Sequence, residues 1–244
     1  MKIRTIVALI AIALPGVADE PAPKKITIPG WGTCINPAGD CQFNAVNGAL
    51  KITIPGFDNP HDLSPELAST TAPRVVQSVV GDFVIQVKIT GDFEPGDEST
   101  QSGRTGYTGA GLVVFADENN FVRLERATLQ HQGDESHPYT NFEIRVDGQL
   151  ERIGTTGDLP TEQDKPTWLR LERKGNQMIG AMSHDGENWT YGEPKKLRAE
   201  AWNGNNIVAG VAAISTSKRM FTPTYSAFSL QQGAKPETRK PQSD

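Results

Sequence analysis

Three short stretches carry polar or charged residues at every second position, with apolar residues between them. Phe121, Arg123 and Glu125 alternate with Val122 and Leu124; Asn141, Glu143 and Arg145 alternate with Phe142 and Ile144; Trp168, Arg170 and Glu172 alternate with Leu169 and Leu171. Successive side chains of a β-strand point to opposite faces, so each stretch presents its polar set on one side. If the three strands are neighbours, one sheet presents three Arg and three Glu, flanked by the aromatic residues Phe121 and Trp168. Aromatic faces stack on sugar C–H groups and charged side chains bridge hydroxyls, so this is the make-up of a ligand-binding groove. The competing reading is a ladder of cross-strand Arg/Glu pairs on a solvated sheet, each worth about 0.2 to 1 kcal/mol.

The same carboxylates raise the question of catalysis. A glycoside hydrolase needs two, one of them an acid of raised pKa. Glu125, Glu143 and Glu172 are the candidates, but each has an Arg two residues away on its own face, and a nearby cation lowers a carboxyl pKa. Other chemistry-bearing patterns are weaker. Ser183-His184-Asp185 holds the residue types of a nucleophilic triad, yet neighbours in a strand face opposite ways and cannot relay a proton, so it reads as a strand end and an Asp-Gly turn. Gly103, Gly106, Gly109 and Gly111 lack a following helix whose N-terminus could receive a phosphate, and read as a flexible loop. His131 and His137 share one loop and are the only histidine pair close enough in sequence to suggest a metal; lone loop histidines are usually just exposed.

The elements that must position these residues are strands. Leu50, Ile52 and Ile54 alternate with Lys51 and Thr53; Phe83, Ile85, Val87 and Ile89 with Val84, Gln86, Lys88 and Thr90; and Phe142, Ile144 and Val146 with Asn141, Glu143 and Arg145. Gly111 to Phe115 and Ile207 to Ile214 are apolar at nearly every position, as expected of central strands covered on both sides. Turn chemistry separates them at Asp117 to Asn120, Asp147-Gly148, Lys174 to Asn176 and His184 to Gly186. Leu63 to Thr71 is the nearest approach to a helix, and proline interrupts it at Pro65. Roughly ten to thirteen short strands in about 200 residues predict an all-β antiparallel sandwich or barrel, read as one domain over 30–230. Two polar loops, Glu94 to Gly109 and Gln130 to Thr140, are long enough to carry variable chemistry.

The ends and the composition set the context. Lys2 and Arg4 precede an apolar run from Ile6 to Leu14, and Gly16-Val17-Ala18 supplies small residues for cleavage, so 1–18 reads as a signal peptide and the mature chain as secreted or periplasmic. That run is shorter than the roughly twenty residues a spanning helix needs. Residues 19–29 form a lead-in and 231–244 a polar tail. The chain has 24 Lys and Arg against 29 Asp and Glu, a net charge of -5, which argues against a nucleic-acid partner. Cys34 and Cys41, the only cysteines, read in an exported chain as one disulfide closing a small loop. Half a zinc site is the other reading, but no Cys or His pair nearby in sequence completes it. Asn188-Trp189-Thr190 matches a glycosylation sequon.

The string from Ala110 through Asp117 to Arg126 is similar to the centre of a bacterial family of unknown function within the concanavalin A-like lectin/glucanase superfamily. Trp168-Leu169-Arg170-Leu171-Glu172-Arg173, Ser183 to Trp189, Val208-Ala209-Gly210-Val211 and Ala72-Pro73-Arg74 resemble other pieces of it, in the same order. The resemblance implies a two-sheet jelly roll. It also implies a choice among lectin, carbohydrate-binding module, glycosidase and adhesion domain, since fold does not fix function. The glucanase pattern Glu-x-Asp-x-x-Glu is not found here. Jelly rolls of this superfamily often hold a structural calcium; Asp40, Asp58, Asp62 and Asp117 are available oxygen donors, no spacing selects among them, and no other cofactor is expected. The expectation is a secreted non-catalytic module binding glycan or another extracellular polymer through Phe121, Arg123, Glu125, Glu143, Arg145, Trp168, Arg170 and Glu172. The alternatives are a glycoside hydrolase or lyase using those Glu residues, and a protein-interaction domain of the cell envelope.

Overall fold

The computed structural model describes residues 26–233 except 58, 154–158, 160, 164, 199 and 205. The expected signal peptide, most of the tail and Asp58 lie outside the described residues. The alternating stretches form antiparallel strands in two large sheets. The first has the spatial order β1 (Thr27–Ile28), β2 (Gly32–Ile35), β7 (Arg74–Ser78), β17 (Val208–Ser215), β9 (Gly106–Phe115), β10 (Phe121–Gln130), β11 (His137–Val146) and β12 (Gln149–Ile153). The second runs β15 (Thr190–Tyr191), β14 (Gln177–Ser183), β13 (Thr167–Lys174), β8 (Phe83–Thr90), β18 (Thr224–Gln232), β4 (Ala49–Thr53) and β3 (Gln42–Val46), with β16 (Lys195–Lys196) also on β14. A two-stranded ribbon, β5 (Leu63–Ser64) with β6 (Ser69–Thr70), encloses a single turn of 3-10 helix at Pro65–Leu67. Strand β1 begins within the expected lead-in, and β18 continues to Gln232, two residues into the expected tail.

The inward parity of each sheet builds the core between them. Leu112 and Val114 of β9, Val122 and Leu124 of β10, and Phe142 and Ile144 of β11 meet Ile85 and Val87 of β8 and Leu169 and Leu171 of β13 in one buried cluster. Two contacts fix how the layers sit. The Tyr225 hydroxyl of β18 donates to the Ala212 carbonyl of β17 at 2.7 Å, satisfying a fully buried phenol. Gly180 of β14 leaves room for the Phe142 ring, to which a Cβ there would approach within 3.2 Å.

The first sheet is covered on its outer face as well. Leu63, Ala72, Val76, Val113, Phe115, Phe121, Ala212 and Ile214 form a second buried cluster, closed by the segment that carries β5 and β6. Strands β9 and β17 are neighbours at the middle of this sheet, with Leu112 opposite Val211 and Ala110 opposite Ala213. Covering on both sides explains why their sequences are apolar at both parities. Pro65 sits at the start of the 3-10 turn, and Ala68 ends it in a left-handed conformation at φ 52°. Among the described residues no helix is long and apolar enough to cross a membrane.

Candidate functional site

Next to the covered patch, the outer face of the first sheet becomes polar. Strands β10 and β11 are direct neighbours in the register that their alternation suggests: Arg123 lies opposite Glu143, Glu125 opposite Asn141 and Phe121 opposite Arg145. Arg123 Nη2 donates to Glu143 Oε2 at 2.6 Å, and Arg145 Nε donates to Glu143 Oε1 at 2.5 Å. The other guanidinium nitrogens of Arg145 reach Glu66 in the 3-10 turn at 2.7 and 3.2 Å, so this network also fastens the covering segment. Glu125 Oε1 accepts from the Tyr107 hydroxyl at 2.6 Å and from Asn141 Nδ2 at 2.9 Å, with Arg123 Nε 3.4 Å away. This is a buried assembly rather than a solvated ladder: Arg123, Glu125, Asn141, Glu143 and Arg145 are all at most 7% exposed.

Above these residues lies a pocket of about 590 Å³, within the range of small-ligand sites. Arg123, Glu143 and Arg145 form part of its floor, Tyr107 and Tyr139 stand in its wall, and Asp62 and Gln101 close another side. Asp62 is itself oriented, accepting from Ser64 Oγ at 2.8 Å and from Gln101 Nε2 at 3.2 Å. Four buried polar atoms of this assembly have no hydrogen-bond partner: Arg123 Nε and Nη1, Glu125 Oε2 and Gln101 Oε1. Two are donors and two are acceptors.

Burial dominates the electrostatics. It raises the Glu125 pKa above the ordinary carboxylate value, outweighing Arg123 and the hydrogen bonds from Tyr107 and Asn141. At Glu125 desolvation therefore reverses the downward shift expected from the neighbouring Arg. Burial, reinforced by the Glu125 charge, lifts Tyr107 well above its usual value and pushes Tyr139 up to about 12. Desolvation opposes the charge on Arg123, but Glu125 and Glu143 more than compensate and hold it firmly protonated.

The structure separates the eight expected site residues. Arg123, Glu125, Glu143 and Arg145 come together as described. Phe121 does not join them as a stacking platform, because it is fully buried in the second cluster, stacked on Phe115 at 4.9 Å. Trp168, Arg170 and Glu172 are on β13, which belongs to the second sheet, so they project from the opposite side of the sandwich. There Arg170 Nε pairs with Glu172 at 2.8 Å and its guanidinium lies 5.6 Å from the Trp189 ring, while Lys88 lies over Trp168 at 5.8 Å.

Several other expectations also change. Cys34 and Cys41 are free thiols rather than a disulfide. Cys34 belongs to β2 of the first sheet, whereas Cys41 leads into β3 of the second, and the intervening loop carries the chain between layers. Burial, with help from Asp40, pushes the Cys41 thiol up to about 12, which removes it as a thiolate nucleophile. Gly106, Gly109 and Gly111 are strand residues of β9 and not a flexible loop. At Gly109 a Cβ would lie 2.7 Å from Glu125 Oε2 and 2.8 Å from the Tyr107 oxygen, so the missing side chain makes space for both groups. Of the calcium donors considered, Asp117 caps its own turn through the Asn119 and Asn120 amides, Asp62 lines the pocket, and Asp40 lies beside His61.

Ser183, His184 and Asp185 form a turn, as their order suggested. Ser183 Oγ donates to Asp185 Oδ1 at 2.8 Å, and His184 faces Pro166 and Glu162 instead of the serine. The Asn188 backbone amide, with the Asn188 side chain and the Glu187 amide, holds the Asp185 carboxyl far below its usual range. His131 Nδ1 meets Thr105 Oγ1 at 3.0 Å. Tyr107, Tyr139, Glu66 and Gln101 are pocket residues that the sequence did not single out, and Asp62 had been considered only as an oxygen donor for calcium. Tyr139 shares the parity of Asn141 and Glu143, and Tyr107 that of Gly109 and Gly111, so extending the alternation toward one strand end would have found both tyrosines.

The fold is a two-layer antiparallel jelly-roll sandwich with a polar pocket on one outer face. The chain belongs to the family described as protein of unknown function (DUF1349), whose model matches residues 56–233. Solved structures share the fold at low identity. A functionally unknown protein from Saccharomyces cerevisiae superposes with a TM-score of 0.60 at 14% identity, covering 84% of this chain and 98% of that one. A xylan beta-1,4-xylosidase from Bacillus halodurans C-125 gives 0.52 at 12% identity, covering 89% of this chain and 41% of the xylosidase. A mutant of the GH43 protein BlXynB from Bacillus licheniformis gives 0.51 at 15% identity, covering 76% of this chain and 33% of that protein. This chain thus spans less than half the length of either of these two proteins. No curated protein matches it.

Proposed function

We propose that the protein is an exported, non-catalytic β-sandwich that binds carbohydrate in the pocket between Tyr107, Tyr139, Asp62 and the Arg123–Glu143 pair. The observation that carries this reading is the combination in one pocket of tyrosine walls with Arg123 Nη1 and Gln101 Oε1 left without protein partners. A sugar hydroxyl donates and accepts, so it can serve both kinds of group, and an aromatic wall suits its C–H faces. The export part of the proposal rests on the leader pattern of residues 1–18.

The carboxylates support binding over hydrolysis. Both oxygens of Glu143 are occupied, one by Arg123 and one by Arg145, and Glu172 lies on the opposite side of the molecule. The other carboxylates lining the pocket are engaged as well, Glu66 by Arg145 and Asp62 by the Leu63 amide, Ser64 Oγ and Gln101 Nε2, so none stands free as the second carboxylate that glycosidic cleavage requires. The raised pKa of Glu125 is the one feature that favours an acid catalyst, and the test must address it. Mobility of the purified protein through gels containing individual polysaccharides, paired with reducing-sugar release from the same panel, separates the readings. Retardation without release is the expected result. Release abolished in Glu125→Gln establishes an enzyme instead, and neither retardation nor release on any glycan removes the carbohydrate reading.

A further inference from the structure

We propose that Asp40, Cys41 and His61 form a binding site for a divalent cation of the zinc class. Asp40 and Cys41 are adjacent where the chain enters β3, and His61, 21 positions after Asp40, is brought to them past the β3–β4 hairpin. Their candidate ligand atoms all lie within 4.8 Å of one another. His61 Nε2 is 2.8 Å from Asp40 Oδ1, and Cys41 Sγ is 3.4 Å from the same oxygen. Tetrahedral zinc, with bonds of about 2.0 to 2.3 Å, places its donor atoms about 3.3 to 3.8 Å apart, so a cation fits with small side-chain movements. A sulfur, an imidazole nitrogen and a single carboxylate are a poor set for calcium or magnesium, which take oxygen donors. They suit zinc and its neighbours in the first transition row.

The ligand-bearing backbone is held from outside the site. The His61 amide and carbonyl make a two-way bridge with Ser215, both bonds at 2.9 Å. The Asn36 side chain grips Cys41, donating to its carbonyl at 2.9 Å and accepting from its amide at 3.4 Å. Asn59 Nδ2 reaches the second oxygen of Asp40 at 3.5 Å, as an outer partner that would orient a ligating carboxylate. Cys41 and His61 are buried, at 8% and 1% exposure, and His61 Nδ1 has no protein partner. The Asp40 side chain is 28% exposed, so a fourth coordination position would open to solvent on that side.

The site also has a place in the architecture. Asp40 and Cys41 precede the residues matched by the family, while His61 lies within them and is followed directly by Asp62 of the pocket. A bound cation would therefore cross-link the first strands of the chain to the segment that covers the outer face of the first sheet.

Titration of the reduced protein with cobalt(II) tests this. The expected result is one equivalent bound, with a thiolate-to-cobalt charge-transfer band that zinc displaces and a rise in melting temperature on zinc addition. Cys34→Ser should keep the band and Cys41→Ser should lose it, while Asp40→Ala and His61→Ala should weaken binding by at least about tenfold. Asp40 is partly exposed, so its variant reports on the ligand role even if changes at the buried positions disturb folding. Absence of the band in the folded reduced protein, persistence of the same band in Cys41→Ser, or unaltered affinity in Asp40→Ala would each overturn the assignment.

Discussion

Arg123 and Glu143 face each other across adjacent strands, bonded at 2.6 Å, and each is more than nine-tenths buried. Glu143 in turn takes Arg145, and Arg145 takes Glu66 of the covering segment. The polar floor of the pocket and the attachment of its cover are thus one network. Removing a single member leaves an uncompensated charge where water is excluded. Arg123→Met or Glu143→Met alone should cost about 3 to 5 kcal/mol in urea unfolding, and the double variant should cost clearly less than the sum. Additive losses would mean that the pair is not coupled.

Gly109 tests whether the Glu125 and Tyr107 positions are set by space. In Gly109→Ala the new methyl group would lie within 3 Å of both side chains, so both must move. Weakened polysaccharide retention with the strand content preserved in circular dichroism is expected. Retention equal to that of the parent protein would show that the tyrosine and carboxylate tolerate displacement.

Stability should depend on pH through Glu125. Its folded pKa is raised by burial above the unfolded value, so the folded state holds its proton more tightly. The resulting contribution to stability is fully present below the ordinary carboxylate range and is lost as pH rises through the folded pKa. Glu125→Gln removes this titration while keeping an acceptor for Tyr107 and Asn141. Thermal melts over a pH series should therefore fall less steeply in the variant than in the parent between mildly acidic and neutral pH. Equal slopes would locate the pH dependence elsewhere.

Much of this site could be read from parity. Alternation in 121–125 and 141–145 correctly put Arg123, Glu125, Glu143 and Arg145 on outward faces, and the antiparallel pairing of β10 with β11 makes them neighbours. The same pattern at 168–172 says equally well that Arg170 and Glu172 face outward, but parity does not say from which sheet. Strand β13 follows β12 in the chain yet pairs with β8 and β14, a crossover that local sequence does not encode. Phe121 has the right parity for a platform, and it is buried because Leu63 and its neighbours, almost sixty residues upstream, fold over it. The meeting of Cys41 with His61 depends in the same way on where a hairpin returns. Cys34 and Cys41 were close enough in sequence to suggest a bond, but they lead into different layers.

The opposite face offers an internal control. Trp168 projects from the second sheet beside Lys88, away from the pocket, so Trp168→Ala should leave carbohydrate binding within error of the parent. A large loss there would move the site to the other side of the sandwich.

The central claim is that sugars bind between Tyr107, Tyr139 and Gln101 on the outer face of the first sheet. Isothermal titration with a polysaccharide that retards the parent protein, repeated on Tyr139→Ala, Gln101→Ala and Trp168→Ala, tests it most directly. Tyr139→Ala and Gln101→Ala should each weaken binding by at least about fivefold, roughly 1 kcal/mol for a lost hydrogen bond or stacking contact, while Trp168→Ala should not. Affinity unchanged in both Tyr139→Ala and Gln101→Ala, or lost in Trp168→Ala alone, would contradict it.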